Sequence, residues 1–125
     1  MRPSWRAASR TWFLITDSEQ LPFNDGAFTA VLCSNSFHHY PAPPRAVREM
    51  ARVLANDGRL VIGDACADLP TARIADAVLR RIERGHVRLY RSSELGSFLQ
   101  RAGLSRVMLR KLSGGGFAIV RGIAA

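Results

Sequence analysis

The sequence predicts an α/β domain whose mostly parallel sheet finishes in an antiparallel hairpin. Short apolar runs alternate with segments of 3.6-residue periodicity, the pattern of strands joined by crossover helices. The last two apolar runs are joined only by Ser113-Gly114-Gly115-Gly116, a loop that suits a hairpin. A chain of 125 residues with 47% hydrophobic and 22% charged residues has the bulk of one domain around one core.

Trp12-Phe13-Leu14-Ile15 and Phe28 to Cys33 read as buried strands, the first ending at Thr16-Asp17. Pro43 and Pro44 then open a helix, since proline loses nothing in the first turn. Its apolar positions Val47, Met50, Ala51 and Leu54 follow i, i+3, i+4, i+7, and Arg45, Glu49 and Arg52 can pair on its outer face. Asn56-Asp57-Gly58 supplies a turn in which glycine takes positive φ, before a strand over Arg59 to Asp64. A second helix from Pro70 to about Arg84 places Ile74, Val78, Leu79 and Ile82 on one stripe that should cover the sheet. Ser92 or Ser93 caps a third helix, and Gly103 ends it in the left-handed position. Leu104 to Leu112 and Phe117 to Arg121 form the closing hairpin.

The net charge of +8 comes almost wholly from arginine, Lys111 being the only lysine. Arg80, Arg84, Arg88 and Arg91 at near-helical spacing are the best candidates for a phosphate-binding surface. No aromatics interleave them, so a solvated helix face is the preferred reading and nucleic acid is not the expected partner. No apolar run approaches the ~20 residues of a membrane span. Cys33 and Cys66 lack the close spacing of a zinc or redox pair and sit among apolar residues, which favours buried reduced thiols and a cytoplasmic protein. The basic, acid-free start over residues 1–10 reads as an irregular N-terminal segment of a truncated domain in preference to a transit peptide.

Several motifs occur in order: Asp17…Leu21-Pro22-Phe23, Asp25-Gly26-Ala27-Phe28, His38-His39, Arg48 to Leu54, Gly58-Arg59-Leu60-Val61-Ile62, Asp64, and Ser93-Glu94-Leu95…Arg101-Ala102-Gly103-Leu104. This series resembles the type 11 group of class I S-adenosylmethionine-dependent methyltransferases, which includes quinone and sterol methyltransferases. Thr29 departs from the usual aspartate and Asn56-Asp57-Gly58 from the usual Pro-Gly-Gly. The resemblance implies a partial Rossmann-like methyltransferase fold with parent strand order 3-2-1-4-5-7-6, entered just before strand three. Residues 1–125 would then be a single truncated domain without the glycine-rich first motif. Gly114-Gly115-Gly116 joins the last two strands and cannot replace that motif.

By the same resemblance, Asp17 accepts a hydrogen bond from the adenine amino group of S-adenosylmethionine and Ser18 offers its backbone N–H; one acceptor beside one donor complements that edge. Read from residue type alone, the pair begins an Asx-type turn. Asn35, with Ser34 and Ser36, would line the sulfonium region. His38 and His39 would lie close to the reactive methyl, and either could take a proton from the acceptor, since imidazole titrates near pH 6.5; packing of one ring and solvation of the other is the plainer alternative. No metal is implied. The expected activity is methyl transfer to an unidentified small-molecule acceptor, as part of a longer or completed domain. The alternative is a non-catalytic binding or scaffold module that self-associates, because strand four without strand one beside it exposes an unpaired edge and invites a homo-oligomer.

Overall fold

The computed structural model describes residues 10–82 and 88–125. Four strands and three helices follow in the order β1 (Phe28–Ser34), α1 (Pro43–Arg52), β2 (Leu54–Ala65), α2 (Pro70–Ile82), α3 (Ser92–Arg101), β3 (Ser105–Leu112) and β4 (Phe117–Ile123), with a 3-10 turn at Phe37–His39 and another at Ser113–Gly115. The sheet order is β1-β2-β4-β3. β1 pairs parallel to β2, while β4 runs antiparallel to both β2 and β3. This is a mixed, Rossmann-like sheet whose final hairpin is the expected one, and its order is 4-5-7-6 of the parent arrangement. Arg84, the expected end of the second helix, and all but the last residue of segment 1–10 lie outside the described residues.

The core lies on one face of the sheet. Leu60, Ile62, Ala118 and Val120 of β2 and β4 meet Val47 and Met50 of α1 and Leu95 and Leu99 of α3. α1 forms where proline occupies the first turn, and the i, i+3, i+4 spacing turns Ala46, Val47 and Met50 inward. Gly103 ends α3 at φ +85, where the N–H of Leu104 reaches the carbonyl of Leu99 at 3.1 Å and that of Gly103 reaches Gln100 at 3.0 Å.

Four local expectations need correction. Trp12 to Ile15 form no strand and are exposed, Ile15 and Phe13 almost completely; a strand needs a ladder partner, and among the described residues none is offered to this segment. Among the described residues β1 lies at the edge of the sheet, with only Cys33 buried. Asn56-Asp57-Gly58 is no turn but an irregularity inside β2, where the register to β1 shifts between Phe28 and Ala30. Asp57, not Gly58, takes the positive φ of 63. Glycine is required at 58 for space: a Cβ there would stand 2.7 Å from the Ala55 carbonyl oxygen. Finally, the apolar stripe of α2 does not cover the sheet, since Ile74, Val78 and Ile82 are exposed and Asp76 is the buried residue of this helix.

Candidate functional site

The C-terminal ends of the two parallel strands meet where Ser34 pairs with Gly63. The chain leaves β1 through Asn35, whose φ of 55 is left-handed, a conformation asparagine tolerates better than most residues. Its N–H donates to the Gly63 carbonyl at 2.8 Å, which holds the loop over the end of β2. A 3-10 turn follows, closed by His39 N–H to Ser36 O at 3.0 Å and Tyr40 N–H to Phe37 O at 3.2 Å. Phe37 anchors it: fully buried, its ring lies 5.5, 5.7 and 5.6 Å from those of Tyr40, Tyr90 and Phe98. With Phe37 inside, His38 is carried to the end of β2.

There it meets Asp64, a carboxylate only 2% exposed. Asp64 accepts the His38 backbone N–H at 2.8 Å and the Ala65 N–H at 2.8 Å, and its oxygens lie 2.8 and 3.0 Å from His38 Nδ1. A carboxylate oxygen accepts, so the ring nitrogen facing Asp64 is the donor of this pair. The His39 ring, exposed, lies 4.0 Å from the His38 ring, centroid to centroid. The Arg88 N–H closes the far side by donating to the His38 carbonyl at 3.1 Å.

Beneath the turn, Cys33 Sγ, Ser36 Oγ and Tyr40 Oη form a triangle with edges of 3.3 to 3.5 Å. Burial, reinforced by Cys33, pushes the Tyr40 phenol up to about 12. It is a hydrogen-bonding strut and not an acid for reaction near neutrality.

Asp17 and Ser18 occupy a different turn. Asp17 is exposed, its Oδ1 accepts the Glu19 N–H at 2.8 Å and its carbonyl the Gln20 N–H at 3.1 Å, so the side chain does make an Asx-type turn. The residues after it are tied to α1: Leu21 N–H donates to Glu49 Oε2 at 2.8 Å, while Arg52 donates to the carbonyls of Leu21 and Phe23 at 3.0 and 2.8 Å and to Asp25 at 2.8 Å. Arg52 also grips both oxygens of Glu49, which holds the Glu49 carboxyl below its usual range. Asn35, His38 and His39 are thus gathered at the ends of β1 and β2, whereas the contacts of the Asp17 turn run to α1.

Asp64 was not among the residues expected to act. Its signal was visible, a lone acid closing an apolar strand, but its partner stands 26 positions earlier. Among the described residues no cluster of His, Cys, Asp and Glu could hold a metal, and no helix is long and apolar enough to cross a membrane.

The profile of a family described as "Methyltransferase domain" matches residues 2–62. The chain is 35% identical over 97 residues to 27-O-demethylrifamycin SV methyltransferase of Amycolatopsis mediterranei, covering 76% of this chain and 36% of that protein. It is 37% identical over 75 residues to the uncharacterized methyltransferase YcgJ of Bacillus subtilis, covering 57% and 29%. The chain therefore spans roughly a third of the length of these relatives. Its fold is that of a crystal structure described as a SAM-dependent methyltransferase, possible histamine N-methyltransferase, of Thermotoga maritima: TM-score 0.76, 21% identity, covering 90% of this chain and 63% of that one.

Proposed function

Since this chain belongs to the methyltransferase domain family, we propose that it carries the acceptor side of an S-adenosylmethionine-dependent methyltransferase acting on a small molecule, with His38 as general base and Asp64 as the residue that positions it. The observation that carries this reading is the 2.8 Å contact of His38 Nδ1 with a carboxylate 2% exposed, at the C-terminal ends of parallel strands. Ligands of open α/β sheets gather at such ends.

S-adenosylmethionine, when bound, supplies a methyl group made electrophilic by the sulfonium. The residues present fit part of it. Asn35, exposed and polar, would border the methionine portion. Asp17 Oδ2 and the Ser18 backbone N–H would serve the adenine edge, Asp17 Oδ1 being used by the turn. Cys33 and Cys66, both free and buried, suit a reducing, cytoplasmic setting. β1 is paired along one edge only among the described residues, which supports association through that edge when nothing else covers it.

His38 Nε2 takes the proton of the acceptor hydroxyl or amine as that atom gains the methyl. Asp64 holds the opposite ring nitrogen, fixes the tautomer and stabilises the imidazolium that forms. Phe37 prevents the turn from swinging away, and that positioning is itself catalytic because in-line transfer depends on alignment. In a methyl-transfer assay of the protein, compared where both chains are folded because the variant also strips a donor from buried Asp64 at about 1–3 kcal/mol, His38→Ala should lower kcat on the order of 10²- to 10⁴-fold. Undiminished turnover in that variant would overturn the assignment.

A further inference from the structure

His38 is held on Asp64 by its ring and its N–H, but its carbonyl is held from elsewhere. The Arg88 N–H donates to that oxygen at 3.1 Å, and the next N–H along the chain, that of Leu89, donates to Asp76 Oδ1 at 2.8 Å. Two consecutive N–H groups therefore join α2 to the turn that carries the proposed base. From there residues 88–92 run beside the end of β2. Tyr90 bridges Cys66 in parallel and its carbonyl accepts the Ala67 N–H at 2.8 Å, while the Ser92 N–H reaches Asp68 at 2.8 Å. The Tyr90 ring stands 5.7 Å from that of Phe37, which anchors the His38 turn.

α2 leaves Ile74, Val78 and Ile82 exposed and buries Asp76 in their stead, at 5% exposure. Burying a carboxylate is costly unless donors meet it. Arg80 Nη2 donates to Oδ2 at 2.6 Å from one turn on, and the Leu89 N–H takes Oδ1. An arginine four residues away could pair with the carboxylate at the surface of the helix; the bond that requires Asp76 to face inward is the one to Leu89, made in a buried setting. The other tie at this end of the segment is weaker. Arg88 meets Glu94 at 3.2 Å with 48% and 34% of the two side chains exposed, and exposed pairs of this kind contribute little. An N–H held by a buried carboxylate is a charge-assisted bond and the stronger of the two.

We propose that Asp76 is a positioning residue for methyl transfer, fixing residues 88 and 89 so that the Arg88 N–H sets where the His38 turn stands. The inference rests on the reading of His38 as general base. Asp64 holds the ring, and Asp76 holds the backbone that carries it. The plainer role for Asp76 is to fasten α2 to the domain with no consequence for His38, and the two roles differ in where its loss is felt.

Amide exchange followed by NMR and a methyl-transfer assay separate them. In the wild-type chain the Arg88 and Leu89 amides should open as one unit, with protection factors within about threefold of each other. Asp76→Ala should speed exchange of the Arg88 amide about tenfold, well beyond any change at the Gly103 amide that ends α3. Asp76→Asn keeps an acceptor oxygen for Leu89 and should return Arg88 to within about threefold of wild type. In the assay, run where all chains are folded, Asp76→Ala should lower kcat on the order of tenfold to 10²-fold, and Asp76→Asn should recover most of that loss. The limb of the pH–rate profile that reports the base should stay in place, because Asp64 is untouched. A carboxylate that only fastens α2 would lower the melting temperature and leave both kcat and Arg88 exchange of the folded chain unmoved, which would overturn the proposal. So would Arg88 opening independently of Leu89 in the wild type, a measurement that needs no variant to fold. Undiminished turnover in His38→Ala alongside the expected exchange results would instead strike the reading of His38 as the base.

Discussion

Asp64 shows how a single residue acquires a role from its surroundings. A carboxylate 2% exposed must be matched by donors, and Asp64 meets the backbone N–H groups of His38 and Ala65 and the Nδ1 of His38. Asp64→Asn therefore changes more than charge. The amide can present either its oxygen or its NH₂ to Nδ1, and in the second arrangement the ring proton moves to Nε2, where the base is needed. A loss on the order of 10²- to 10⁴-fold in kcat is expected, with a pH–rate profile altered at the limb that reports the base. A variant that lost only thermal stability, with the profile unmoved, would reduce Asp64 to a structural residue. Of the expected site residues, the His38-His39 pair was placed near the reacting methyl by the family resemblance, with packing of one ring and solvation of the other as the plainer reading. The contact that sets His38 apart from His39 is the one its Nδ1 makes with Asp64.

At the level of elements, the structure turns on two glycines with different jobs. Gly103 occupies φ +85 with open space where a Cβ would project, whereas Gly58 has an ordinary φ and a carbonyl oxygen 2.7 Å from that point. Gly103→Ala should cost about 1–2 kcal/mol, the penalty for left-handed backbone. Gly58→Ala should cost about 1–3 kcal/mol through forced displacement of the β2 irregularity. Chemical denaturation measures both, and a Gly58→Ala chain as stable as wild type would mean that the irregularity relaxes freely. α1 was legible because Pro43 and Pro44 mark its start and its inward face is periodic. α3 was legible too, but its capping was not: Ser92 is no cap, since its N–H and hydroxyl both donate to Asp68, at 2.8 and 2.6 Å, from a neighbouring loop. For α2, periodicity revealed an apolar stripe but not whether anything meets it.

Taken as a whole, the molecule has a stability window set by a few tuned groups. Burial works against the Asp68 carboxylate, yet hydrogen bonds from Lys111 and Ser92 outweigh it and hold its pKa at about 2. Its contribution is therefore present above the unfolded value near ~4 and disappears as pH falls from there through about 2. Tyr40 acts at the other end: its phenol, raised to about 12, stays neutral in the fold while the unfolded chain ionises near ~10, so stability falls as pH rises between these values. Unfolding followed across pH should show a plateau between these limits; Lys111→Met should shift the acid limb upward, and Tyr40→Phe should flatten the alkaline one. An unchanged acid limb in Lys111→Met would show that Lys111 does not hold Asp68. By itself the sequence determined the α/β class, the closing hairpin and the polar loop bearing His38, because these follow from local periodicity and turn chemistry, while the strand order came with the family resemblance its motif series carries. Only the tertiary structure decided that, among the described residues, nothing covers Trp12 to Ile15 or the stripe of α2, and that Asp64 holds His38. Those outcomes depend on which surfaces meet, and an apolar pattern states that a residue needs a neighbour without stating which neighbour the chain brings to it.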